Sequence, residues 1–214
     1  MSYTKIAAIF ADSETLSGQT VTVRRGDIRE LSDLAYFPSL TAVSVQFQSL
    51  TSLESLPACG VEMFDVSANR LTSLSGIEQL PKLTALTADG NAVTDLTGLG
   101  RCLNVRKLSL NGANVSDLSE LRALTKLQDV TLSHCTRREL LIVLHKSSLT
   151  HLTLVGCDLR GDFFRSFDRE RALTALSLTD CELDSTSGLE DFTGLTELTV
   201  RGVSGTFDWS ALGG

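Results

Sequence analysis

Two neighbouring stretches, LTALTADGNAVTDL at Leu83–Leu96 and VRKLSLNGANVSDL at Val105–Leu118, align without a gap. The same frame extends in both directions and gives nine equivalent first positions: Gly18, Leu40, Val61, Leu83, Val105, Leu127, Leu149, Leu173 and Leu195. Successive positions are separated by 22, 21, 22, 22, 22, 22, 24 and 22 residues. Self-similarity at a nearly fixed period of this size indicates structural repeats stacked into a solenoid.

Each unit contains a short stretch in which apolar and polar residues alternate, as in Leu86–Ala88. Strict alternation predicts a short strand with one buried face. The apolar pair recurs in all nine units: Val21/Val23, Val43/Val45, Phe64/Val66, Leu86/Ala88, Leu108/Leu110, Val130/Leu132, Leu152/Leu154, Leu176/Leu178 and Leu198/Val200. Further along the unit, apolar residues come every third position, which predicts a 3₁₀-like or short helical return segment.

One turn position follows each predicted strand and has its own chemistry. Its occupants in the first eight units are Gly26, Gln48, Asn69, Asn91, Ala113, Cys135, Cys157 and Cys181. Stacked coils leave backbone groups inside each bend, and an Asn side chain can bond to several of them. We therefore expect regular turns at the two asparagines and local irregularity at Gly26, Gln48 and Ala113.

The resulting pattern, LxxLxLxx(N/C)xL, resembles the leucine-rich-repeat superfamily over residues 18–203. It is most similar to the 22-residue class, which includes internalin-type proteins and regulatory subunits of a serine/threonine phosphatase. The resemblance implies an α/β right-handed solenoid of about nine repeats. A curved parallel β-sheet would form its concave face, and 3₁₀ or short helices its convex face.

A solenoid needs both ends of its core covered. Residues 1–17 are expected to form an N-terminal cap, and residues 204–214 a C-terminal cap or a truncated end. The apolar residues expected to cover the core are Ile6, Ile9, Phe10, Leu16, Phe207, Trp209 and Leu212.

Side chains alternate along a strand, so the frame also predicts which residues face outward on the concave side. Phe47 and Met63 are expected to form one exposed apolar spot beside Asp65 and Asp89, although Phe47 could instead tuck into its turn. The candidate partner-binding residues are Arg24, Gln46, Phe47, Met63, Asp65, Asp89, Lys107, Asn111, Asp129, His151 and Arg201.

Two convex segments depart from the repeat. Arg137–Ser148 reads as a true helix, and Arg160–Ala172 is two residues longer than its counterparts. Phe163, Phe164 and Phe167 recur there at helical spacing, which places them in the core. A second binding surface on this side is the alternative interpretation, because functional insertions in solenoids fall on one face.

Composition excludes several classes of function. With 26 acidic and 19 basic residues the formal charge is −7, which disfavours nucleic acid as a partner. No apolar run approaches the roughly 20 residues that a membrane-spanning helix needs, so we expect no membrane association. The apolar run Ile6–Ala11 is short for a signal peptide, and a cytoplasmic location is expected. Five cysteines without a CxxC pair favour reduced thiols over disulfides or a metal site.

The sequence offers no catalytic constellation. His134 adjoins Cys135, but the thiol falls on the buried turn position, and no phosphate-binding glycine motif is present. We therefore expect no enzyme activity, no catalytic residues and no cofactor. The predicted function is a monomeric scaffold or adaptor that binds a protein partner through its concave face. The alternatives are an exported internalin-like adhesin or effector, and the substrate-recruiting part of a larger enzyme.

Overall fold

Consecutive segments of the chain lie side by side in one sheet of ten strands. The computed structural model describes residues 13–17, 19–23, 26–167 and 172–205. The strands are β1 Ser13–Ser17, β2 Thr20–Val23, β3 Ala42–Val45, β4 Met63–Asp65, β5 Ala85–Thr87, β6 Lys107–Leu110, β7 Asp129–Ser133, β8 His151–Val155, β9 Ala175–Thr179 and β10 Glu197–Arg201. The order in the sheet follows the order in the sequence.

The nine strands β2 to β10 are parallel, as the repeat frame predicts. Leu86 pairs with Leu108, Leu108 with Val130, and Val130 with Leu152. β1 is antiparallel to β2 and covers the sheet edge there, which the frame did not predict. The side chains named above as end caps, and Arg24, lie outside the residues whose side chains the structure describes.

The return segments lie on the opposite side of each coil and are short. Among the described residues, the 3₁₀ segments are Ser32–Tyr36, Ile77–Gln79, Leu99–Arg101, Ser119–Ala123, Phe164–Ser166 and Leu189–Asp191, and Arg137–Leu144 is an α-helix. The helix begins at the predicted residue, where Thr136 and Glu139 form a reciprocal capping box, and it ends four residues earlier than predicted.

The core is a continuous aliphatic column shared by all the coils. Leu86, Leu108 and Val130 are fully buried, and the return leucines pack beneath them. Phe163, Phe164 and Phe167 are buried too, as predicted, and the last two pack edge-to-face against Phe192. Because each coil contributes one layer, its apolar side chains are covered by the neighbouring coils rather than by its own chain.

The two turn asparagines do what their chemistry predicts. Asn91 Oδ1 accepts a hydrogen bond from the Leu71 N–H at 3.0 Å, and its Nδ2 donates to the carbonyl oxygens of Val66 and Ala88, each at 3.0 Å. Asn69 makes the same set one coil earlier. Each asparagine therefore satisfies backbone groups of its own coil and of the preceding one.

The expected irregularity at Gln48 is absent. Its side chain is buried, its Oε1 accepts from the Ile28 N–H at 3.2 Å, and its Nε2 donates to the Gln46 carbonyl at 2.8 Å. Glutamine is one methylene longer than asparagine and fills the same role. At Ala113 no amide is present, and Ser133 Oγ instead accepts from the Gly112 N–H at 2.9 Å.

Truncation of one core leucine tests the shared column. Leu108→Ala removes a side chain that is fully buried and leaves a cavity, so we expect the free energy of unfolding to fall by about 2–5 kcal/mol. Leu103→Ala is the matched control, because Leu103 is 54% exposed, and it should change stability by about 0.5 kcal/mol or less. Urea unfolding measures both, and equal losses would contradict the burial of Leu108.

Removal of one turn amide tests the asparagine ladder. Asn91→Ala removes the side-chain partner of the Leu71 N–H and of the Ala88 carbonyl, whereas the Val66 carbonyl keeps its bond from Asn69 Nδ2. Each unsatisfied buried group costs about 1–3 kcal/mol. Asn114→Ala removes the same side chain from an exposed position and is expected to be nearly neutral. Urea unfolding together with amide hydrogen exchange at Leu71 measures the effect. Unchanged protection of that amide would show that Asn91 does not hold it.

Candidate functional site

The outward face of the sheet is the surface on which the predicted residues come together. Side chains between the two core positions of each strand point away from the core, and most are hydroxyls that are partly exposed. The described candidates Gln46, Phe47, Met63, Asp65, Asp89, Lys107, Asn111, Asp129, His151 and Arg201 all lie on this face or at its edge. From Gln46, just after β3, to Arg201 on β10, these candidates extend across eight parallel strands and therefore cover far more than one binding hot spot.

Phe47 does not tuck into its turn. Its side chain is 62% exposed, and its backbone is left-handed with φ of 54°. Every later coil has a positive φ at the equivalent place, which holds Ala68, Gly90, Gly112, His134, Gly156, Asp180 and Gly202. A bulky aromatic side chain is a poor choice for this conformation, which costs L-residues roughly 1–2 kcal/mol. A strained, exposed aromatic residue is a candidate for function rather than for folding.

Phe47 and Met63 do not form one apolar spot, and that prediction was wrong. Met63 starts β4 and pairs with Ala42, whereas the Phe47 N–H donates to the Ser67 carbonyl at 3.2 Å, beyond the end of β4. Four residues separate Met63 from Ser67, or about 13 Å along an extended strand. The two side chains thus lie at opposite edges of the face, with Asp65 between them.

Asp65 is held in place by three neutral donors. Its Oδ1 accepts from the Ser67 N–H at 3.0 Å and from Ser67 Oγ at 2.6 Å, and its Oδ2 accepts from Gln46 Nε2. Ser67 was not among the predicted site residues. Its position, two residues after Asp65 on the same face of the strand, is the signal by which it could have been found.

A second fixed carboxylate lies on the neighbouring strand. Asp89 Oδ1 accepts from Ser109 Oγ at 2.7 Å and from the Asn111 N–H at 2.8 Å. Asn111 Oδ1 in turn accepts from Ser133 Oγ at 2.9 Å. These bonds hold the acidic centre of the face in one geometry without neutralising its charge.

The other candidates lie further along the sheet and do not join this centre. Lys107 Nζ and Asp129 Oδ2 form an ion pair at 2.7 Å, so each balances the other. His151 is exposed, and its Nδ1 lies 2.9 Å from Thr150 Oγ1. Arg201 is exposed on β10, at the far end of the described sheet.

The cysteine and histidine residues are not arranged for nucleophilic chemistry. His134 is exposed, whereas the Cys135 side chain is buried on the other side of the turn. Hydrogen bonding with the Cys135 thiol, together with burial, raises the pKa of Cys157 to about 11. Burial also raises the pKa of Cys102 to about 11. Both thiols are therefore protonated near neutral pH and poorly nucleophilic.

The described ranges contain neither a metal-binding cluster nor a membrane-spanning helix. There, no group of three or more His, Cys, Asp or Glu side chains could hold a metal ion. No helix in the same ranges combines the length and the hydropathy that a bilayer crossing requires.

The convex side carries an open cleft of about 480 Å³ beside the helix Arg137–Leu144, and a second of about 420 Å³ beside Leu99–Arg101. Arg122, His145 and Lys146 line the first cleft. Lys146 Nζ donates to the Leu124 carbonyl at 2.9 Å, and burial lowers the pKa of Lys146. In the longer segment predicted as a possible second surface, Arg160 pairs with Asp158 at 2.6 Å. Lys146 and Arg160 thus have partners within the chain, whereas residues 168–171 lie outside the described part.

No protein-family model and no curated protein matches this sequence. Solved structures do resemble it. An internalin C2 from Listeria monocytogenes is 20% identical with a TM-score of 0.61, over 91% of this chain and 75% of its own. A leucine-rich-repeat protein from Leptospira interrogans is 19% identical with a TM-score of 0.70, over 95% of this chain and 56% of its own. The chain thus spans little more than half of the Leptospira chain.

Two further similar structures are complexes. One contains the leucine-rich repeats of FLRT2 with latrophilin 3 and Unc5D, at 16% identity and a TM-score of 0.66, over 89% of this chain and 63% of that one. The other is a TLR13–ssRNA13 complex, at 18% identity and a TM-score of 0.64, over 83% of this chain and 26% of that one. At these identities the likeness establishes the fold alone. Together with the in-register parallel strands and the turn asparagines, it assigns this chain the leucine-rich-repeat fold.

Proposed function

We propose that this chain is a non-enzymatic scaffold or adaptor that binds a protein partner through the concave face of its sheet. The observation that carries the proposal is Phe47, a large aromatic side chain that is 62% exposed on a left-handed backbone. Folding gains little from it, and exposed aromatic residues dominate the binding energy of protein interfaces. Fixed carboxylates beside it add the polar part that such interfaces need.

A protein partner fits this face better than a nucleic acid. The TLR13 complex contains single-stranded RNA, so the fold itself is compatible with RNA. Here, however, the chain carries a formal charge of −7, and Asp65 and Asp89 lie at the centre of the face. A phosphate backbone would be repelled from that centre. The FLRT2 complex, in which all the named components are proteins, is the more apt analogy.

A reducing compartment, such as the cytoplasm, is part of the proposal. All five cysteines are free, and Cys102, Cys135, Cys157 and Cys181 are buried. Internal thiols of this kind are typical of proteins that fold without disulfides. The exported internalin-like role would instead require a secretion route.

Phe47 offers a test that separates folding from binding. In a right-handed conformation, Gly is less stable than Ala by about 0.5–1 kcal/mol. At this left-handed position we expect the reverse, with Phe47→Gly more stable than Phe47→Ala by about 1 kcal/mol. Thermal and urea unfolding of both variants measure the difference. If Ala were the more stable, the backbone at residue 47 would not be left-handed.

The role of the concave face is tested in an extract of the source cells. Proteins that bind the chain are chemically cross-linked to it and then recovered with it. The variant Phe47→Gly, Asp65→Lys, Asp89→Lys should lose the partners that the wild type recovers. Leu103→Ser, which removes an exposed apolar side chain outside this face, should keep them. Both variants are first checked for unchanged circular dichroism. Equal recovery by the wild type and the triple variant would remove the concave face from the proposal.

A further inference from the structure

The charge on the concave face is not spread evenly. β3, β4 and β5 each have two outward positions, and a third outward residue follows shortly after each strand. These residues are Ala42, Ser44, Gln46, Met63, Asp65, Ser67, Ala85, Thr87 and Asp89. These nine positions, which we call the acidic lane, contain Asp65 and Asp89 and no Lys, Arg or His. The lane therefore holds two carboxylates and no cationic side chain.

Neutral donors fix the two carboxylates but leave room for a cation. Asp65 accepts bonds from Ser67 and Gln46, and Asp89 Oδ1 accepts bonds from Ser109 and Asn111. A carboxylate has about four lone-pair sites, so each group keeps accepting capacity. Two strands further on, the outward Asp129 already has its own cation in Lys107, at 2.7 Å. The lane is thus the part of the central sheet where positive charge is missing.

Apolar side chains border the lane at both ends of the strands. Met63, 53% exposed, stands between Ala42 and Ala85 of the adjacent strands at the first edge. Phe47, bonded through its N–H to the Ser67 carbonyl, stands at the second edge. Residues 63, 65 and 67 are spaced by about 6.6 Å along β4, because alternate residues of an extended strand are that far apart. The order across the lane is therefore apolar, acidic, apolar.

Resting on the proposed function, we propose that the partner segment is an extended chain with Lys or Arg flanked two residues away on each side by apolar side chains. Alternate residues of an extended segment lie on one face with the same spacing as β4, so the three side chains match Met63, Asp65 and Phe47 one for one. The cation lies between Asp65 and Asp89, and the apolar residues cover the two exposed hydrophobic side chains. Charge complementarity then sets both the direction of approach and the register.

The experiment uses the full chain and a fluorescein-labelled peptide, GSLTKTLSG, with fluorescence anisotropy as the readout. We expect saturable one-site binding that weakens as NaCl is raised. Replacement of the peptide lysine by glutamate should weaken binding by about tenfold or more, because like charges then meet. The permuted peptide GSLLKTTSG has the same composition without the alternation, and it should bind several-fold more weakly than the alternating one.

Matched protein variants locate the site. Asp65→Asn with Asp89→Asn keeps side-chain size and one acceptor oxygen at each position while removing both charges, and should weaken binding by about tenfold. Asp117→Asn with Asp184→Asn makes the same charge change at two exposed residues outside the lane, and should leave binding unchanged. This control also accounts for the change in net charge.

Three results would overturn the inference. These are no binding up to about 1 mM peptide, equal binding of the alternating and permuted peptides, and equal loss in the two double variants. The inference would also be overturned if a second copy of this chain occupied the lane. Sedimentation would then show self-association that the Asp65→Asn, Asp89→Asn variant abolishes. If the peptide fails while recovery of partners from the extract still depends on the concave face, the proposed function stands and only the nature of the partner is wrong.

Discussion

The structure depends on each coil burying its apolar side chains against the coils before and after it. A single coil of about 22 residues is too small to enclose a core, so its two strand residues and its return leucines are exposed until neighbours stack on them. Leu108 is fully buried because Leu86 and Val130 flank it in register. Stability is therefore a sum of interfaces between neighbours, and the elongated, open sheet is the unavoidable product of that arrangement.

Stacking has a polar requirement that the turns must meet. Backbone groups inside each bend lose water when the next coil covers them, and Asn69 and Asn91 replace that water with side-chain hydrogen bonds. Further along, cysteines occupy the same place and donate to backbone carbonyls through long Sγ contacts, such as 3.3 Å from Cys135 to Ser133. A thiol is a weaker donor than an amide, so the later turns are less firmly satisfied. The cysteines, which are potentially reactive residues in the sequence, thus have a structural role in the turns.

The sequence predicted most of the fold because the fold is periodic. The frame identified the nine parallel strands and the buried pairs from Val21/Val23 to Leu176/Leu178. Leu198 and Val200 on the last strand are only partly buried, and the outward Ser109 and Ser133 are buried. The frame did not predict β1, whose antiparallel pairing lies outside the repeat. It also misjudged Gln48, since a turn amide one methylene longer still reaches its partners. Phe47 and Met63 were wrongly predicted to form one apolar spot. A repeat frame identifies the face on which two residues lie, but the distance between them along the strand depends on the hydrogen-bond register.

The site was less predictable than the fold for the same physical reason. Core positions repeat because every coil must bury them, whereas the outward residues are free to differ, and their meaning depends on their neighbours. Asp65 matters because Ser67 and Gln46 orient it and no cation opposes it in the acidic lane. The most direct test of the central claim is a set of backbone NOEs measured on the isotopically labelled chain. We expect cross-strand contacts that link Leu86 to Leu108, Leu108 to Val130, and Val130 to Leu152 in parallel register. A shifted register, or contacts that join non-consecutive coils, would contradict it.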